Sequence, residues 1–168
     1  LALACFFLSG ATGLMYEVLW TRIFGGTIGN THFSITLVVS VFMGGLGLGS
    51  YLGGRLADRS PSPLRLYGIL TLLVGISCVL IPVAVVAVRP LFAWPYGFND
   101  GAPEAPVLLA AKIVVSGAIL LIPTSFMGAT LPALSRYFTR RLSDVGKTIG
   151  GLYALNTLGA VAGASFTG

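Results

Sequence analysis

The chain is a succession of apolar stretches, each long enough to cross a bilayer as a helix, broken by short loops that collect the basic residues. The stretch from Gly44 to Arg65, GGLGLGSYLGGRLADRSPSPLR, shows the pattern most sharply. Its first half is uncharged, and its second half suddenly carries Arg55, Asp58, Arg59 and Arg65. Charges massed directly after an apolar run mark the point where a helix leaves the hydrocarbon. Six glycines fall within eleven residues, 44–54. A soluble helix would lose roughly 1 kcal/mol at each relative to alanine. In lipid an unwound backbone would leave polar groups unpaired, so the helix persists. Gly45, Gly49 and Gly53 recur every fourth residue and so share one helix face, as do Gly159 and Gly163 further on. Small residues at that spacing admit a second helix backbone to close contact.

Composition excludes the other classes. Charged residues make up 9% of the chain against 55% hydrophobic, and mean hydropathy is +0.93. Soluble domains carry about 25% charged residues. The net charge of +5 sits at span ends rather than along one face, so it points to a lipid surface and not to nucleic acid. Cys5 and Cys78 fall in separate apolar runs, with no metal or redox spacing.

The expected fold is an all-α, polytopic transmembrane helix bundle. Its spans are expected at 2–24, 33–54, 64–88, 106–127 and 148–168. Pro82 is a candidate kink in the third. If the fourth span's helical pattern runs on past 127 to Phe138, the helix from 106 would be about 50 Å long, which predicts a bend near Pro123 or Pro132 or an extension beyond the membrane. Loop 89–105 carries the aromatics Phe92, Trp94, Tyr96 and Phe98 with Asp100 and Glu104, as suits a headgroup-level segment. Arg55, Arg59, Arg65, Arg136, Arg140, Arg141 and Lys147 gather on one side, against Arg89 and Arg22 on the other. Positive residues stay inside, which predicts a cytoplasmic N-terminal end. The chain begins and ends in apolar sequence and is expected to be a fragment of a longer protein.

No cofactor, metal or catalytic constellation is expected. Gly146–Lys147–Thr148 lacks the upstream glycine of a phosphate-binding loop, since Arg141 stands there. His32 reads as a solvated cap in a turn. Glu17 and Lys112 are the informative charges, because ionisable groups inside a span are paired or functional. Counted from the outer span ends, they lie at about 10 and 9 Å depth. They are expected either to pair with each other or to form a polar ligand or ion site. Arg22 is the competing partner for Glu17.

Two resemblances add to this reading. Gly54-Arg-Leu-Ala-Asp58-Arg59, with Arg65 beyond it, resembles the loop signature between the second and third helices of major facilitator transporters, although Pro61 replaces a signature glycine. That resemblance implies a half-bundle of a transporter for a small polar or cationic solute. The strings SGATGLMYEVLWTRIFGGTIG (9–29), PTSFMGATLPALSRYF (123–138) and GGLYALNTLGAVAGA (150–164) cover more of the chain and resemble the membrane part of spermidine-synthase-like proteins. This second resemblance implies an N-terminal multi-pass domain in a bacterial inner membrane. It would anchor or supply a cytosolic aminopropyltransferase-like domain of polyamine biosynthesis, whose cofactor loop has no counterpart here. The implied partners are the bilayer and the rest of the same polypeptide.

Overall fold

The computed structural model describes residues 2–28, 31–93, 106–139 and 142–167. Five helices follow in order: α1 (Ala2–Ile28), α2 (Thr31–Arg59), α3 (Pro63–Ala93), α4 (Pro106–Phe138) and α5 (Val145–Thr167). A 3₁₀ turn, Leu142–Asp144, leads into α5. All five are long and apolar enough to cross a membrane, over 23 to 30 residues each. Their outward faces agree with that: Val79 is 71% exposed and Val114 69%, a coat that lipid tolerates and water does not.

The helices outrun the expected spans at several ends. α2 continues through Arg55 and Asp58 to Arg59. A 29-residue helix is about 43 Å long, longer than a hydrocarbon layer of about 30 Å, so its last turns carry these charges clear of the apolar zone. α1 continues to Ile28 through Gly25 and Gly26, four residues past the expected span end at 24. α3 continues to Ala93, and α5 already includes Lys147. The aromatics 94–98, with Asp100 and Glu104, lie outside the described residues, as do Arg140 and Arg141.

α4 remains one helix through Pro123 and Pro132 and carries Arg136 in its last turn. A proline within a helix removes the donor for the carbonyl four residues earlier. For Pro132 that carbonyl is Gly128, and the Ser50 hydroxyl on α2 donates to it at 3.0 Å. A neighbouring serine thus satisfies what the proline leaves open, the condition under which proline is tolerated in a membrane helix.

Two seams organise the bundle. α2 and α4 form the most extensive contact and run parallel: Ser50 meets Gly128, and eight residues on Asp58 meets Arg136. α1 and α5 form the next, also parallel, with Gly159 against Phe7 and Gly163 against Ala11. α3 packs on α4, and α1 closes against α2. One apolar cluster, around Trp20, Phe24, Val38, Phe42, Ile81 and Leu120, fills the half away from the basic ends. A second, around Phe6, Tyr67, Ala133, Leu134 and Leu152, fills the half near them.

Candidate functional site

The glycines of α2 lie against α4 backbone. A Cβ built on Gly45 would stand 2.6 Å from Thr124 Cβ, on Gly49 2.7 Å from the Ser125 carbonyl carbon, and on Gly53 2.5 Å from Ala129 Cα. Real Cβ atoms do not come so near, so only glycine permits this approach. The contact is mutual, since a Cβ on Gly128 would stand 2.7 Å from Leu46 Cα. Gly44, Gly47 and Gly54 have nothing within 4 Å. On the other seam, a Cβ on Gly163 would meet the Ala11 carbonyl carbon at 2.7 Å, and one on Gly159 the Phe7 carbonyl carbon at 2.9 Å. A Cβ on Gly10 would likewise stand 2.9 Å from the Asn156 carbonyl carbon.

At the basic end, Arg136 donates to Asp58 at 3.0 Å, tying the end of α4 to the end of α2. Arg55 folds over the Tyr51 ring, 4.4 Å from its centre. Arg59 and Arg65 are exposed. Asp58, at the end of α2, thus has its ion-pair partner on α4.

Glu17 and Lys112 are both drawn inward. Lys112 is 3% exposed, on the α4 face that also carries buried Ser116 and Leu120. Glu17 is half-buried on α1. Among the described residues no ion pair joins them. The reason is register. The Cβ position of Gly13 lies 4.0 Å from Met127 Sδ, which sets the two helices level at that point. From there Lys112 is about 22 Å along α4 and Glu17 only about 6 Å along α1, at 1.5 Å per residue. The run of α1 on to Ile28 accounts for about 6 Å of that offset from the expected equal depth, since four further residues lie above Glu17. Arg22 turns to α5, where it donates to the Thr167 carbonyl at 3.1 Å.

Between α1, α2, α4 and α5, on the basic side of this level, lies a cavity of about 220 Å³. Its apolar wall includes Phe6, Leu14, Phe42, Leu46 and Met127, and its polar groups are Ser9, Ser50, Thr130, Tyr153 and Asn156. Ser50 and Thr130 are engaged with the backbone carbonyls of Gly128 and Met127. Sequence reasoning singled out none of these lining residues. The available signal was the small-residue spacing Ser9–Gly13 and Thr124–Gly128, which marks α1 and α4 as close-packing helices in the same way as the α2 glycines. Among the described residues no group of three His, Cys, Asp or Glu is placed to hold a metal ion.

Over its described residues the chain is thus an all-helical bundle with five helices of membrane-crossing length, closed by two glycine seams. It is 28% identical over 165 residues to polyamine aminopropyltransferase 1 of Streptomyces coelicolor, and 28% identical over 164 residues to polyamine aminopropyltransferase 2 of the same organism. Each alignment takes in 97% of this chain, and the chain spans 27% of the length of each relative. No protein-family model and no solved structure matches it.

Proposed function

We propose that these helices are the membrane part of a larger polyamine-aminopropyltransferase-like protein. In this reading they hold a transferase domain, carried elsewhere on the same polypeptide, against the cytoplasmic face of a bacterial inner membrane. The observation that carries the reading is the pattern of likeness: nearly the whole chain aligns, end to end, with about a quarter of each aminopropyltransferase. The five apolar helices support a membrane role for that quarter. The basic residues at the ends of α2 and α4, with Lys147 at the start of α5, support a cytoplasmic orientation for that end and for the start of α1. The partners are the bilayer and the remainder of the polypeptide, and any cofactor belongs to the transferase domain.

The test is aminopropyl transfer from decarboxylated S-adenosylmethionine to a diamine, measured in membranes carrying the full-length gene product. The reading expects transfer there and none in membranes carrying residues 1–168 alone. Equal transfer by the short chain, or none by the full-length protein, would overturn it.

A further inference from the structure

We propose that the cavity between α1, α2, α4 and α5 binds a small uncharged amphiphile, an apolar body with one hydroxyl or amide end, and that the Asn156 amide and the Ser9 hydroxyl hold that end. The cavity lies between two helix pairs, α1 with α5 and α2 with α4, each closed by its own glycine contacts. Asn156 and Ser9 line it from the two helices of the first pair, and both are half-buried. Gly10 makes room for the amide: a Cβ there would stand 2.9 Å from Asn156 Oδ1. Among the described residues neither side chain makes a hydrogen bond, and the bond recorded at Ser9 goes from the Thr12 hydroxyl to its backbone carbonyl. A polar group in apolar surroundings is costly without a partner, and polar side chains inside spans ordinarily bond across helices. These two instead border a space large enough to admit a partner.

The rest of the lining sets the chemical class of the guest. Among the described residues that line the cavity, none is Asp, Glu, Lys, Arg or His. An ion entering it would lose its water and meet no opposite charge. Phe6, Phe42, Leu46 and Met127 supply apolar contact. Ser50 and Thr130 donate to backbone carbonyls and keep lone pairs that can accept from a guest. A mainly apolar wall with a few polar groups is the make-up of a small-molecule site. The volume of about 220 Å³ exceeds the roughly 150 Å³ that admits a benzene-sized guest. One ring with a short polar arm falls in that size class. Tyr153, in the same lining, is 64% exposed and marks a mouth on the outward side of α5. A guest of this class dissolves in the bilayer and reaches the mouth from there. The inference stands on the cavity and does not depend on a transferase domain.

Binding is read as a saturable rise in melting temperature, and by calorimetry, with purified protein in detergent. The probes share one ring and differ in the end group: benzyl alcohol, toluene and benzylammonium, each at the same mole ratio to detergent. Benzyl alcohol is expected to bind roughly five- to tenfold more tightly than toluene, the worth of one or two net hydrogen bonds, and benzylammonium not to bind. Asn156→Leu should remove most of the preference for the alcohol over toluene while leaving toluene binding in place. Ala160→Leu, which adds bulk to a lining position, should abolish binding of both. Benzyl alcohol without a saturable effect, benzylammonium binding as well as the alcohol, or an undiminished preference in Asn156→Leu overturns the proposal. The comparison of the three probes on the unmodified protein decides the matter even if neither variant folds. Aminopropyl transfer is not among the readouts, so failure here leaves the transferase reading standing.

Discussion

Gly49→Ala places one methyl group between α2 and α4, and its cost can be worked from the contact it meets. The new Cβ would stand 2.7 Å from the Ser125 carbonyl carbon. Carbon atoms rest at about 3.5–4.0 Å. Because the obstacle is backbone, the helices must part by roughly 1 Å, and a gap of that size forfeits about a quarter to a half of each dispersion contact along the seam. The Ser50–Gly128 hydrogen bond, one residue away and 3.0 Å long, stretches past useful range. An interhelical hydrogen bond in a membrane protein contributes about 0.6 kcal/mol on average, and overpacking a close contact costs about 1–3 kcal/mol. The sum is roughly 2–4 kcal/mol. Gly47→Ala, two residues along the same helix, meets nothing within 4 Å. There the better helix propensity of alanine should dominate, leaving stability unchanged or raised by about 0.5–1 kcal/mol. Thermal and denaturant unfolding in matched detergent separates the two variants. If Gly49→Ala is no more destabilising than Gly47→Ala, the close α2–α4 approach is wrong.

Gly163→Ala, against the Ala11 backbone, should destabilise the α1–α5 seam by a similar amount, measured by unfolding as above. Ser50→Ala should cost about 1 kcal/mol, because it strands the Gly128 carbonyl that Pro132 already deprives of its helical donor. Restoring that donor with Pro132→Ala should make Ser50→Ala milder, which a double-mutant cycle reads directly. Asp58→Asn should change stability by less than about 1 kcal/mol, since Asp58 is 76% exposed and its pair with Arg136 is screened by solvent; a loss of several kcal/mol on unfolding would contradict the exposed geometry.

Helix number was legible because each apolar run exceeds the length a bilayer demands, and the glycine spacing on α2 and α5 named the faces that meet other helices. The helix ends were less legible. Polar and glycine residues such as Gly25, Gly26 and Arg55 end an apolar run without ending a helix, since backbone bonds continue into the headgroup zone. That displacement carries through to the charges: with α1 extended to Ile28, Glu17 lies about 6 Å deeper than the span end at 24 implied. Which helix would receive the glycines was beyond sequence spacing, because partner choice depends on the three-dimensional order of the bundle. The cavity was hidden for the same reason, as its walls come from four helices whose lining residues are individually ordinary.

The account stands on five crossings with α2–α3 and α4–α5 junctions on one side and α1–α2 and α3–α4 junctions on the other. Cysteine labelling measures this directly, after Cys5 and Cys78 are replaced by alanine. Single cysteines at Ser62 and Ser143 should react with a membrane-impermeant maleimide from the cytoplasmic side only, and those at Asn30 and Asn99 from the opposite side only. Labelling of Ser62 and Asn99 from the same side would contradict the account.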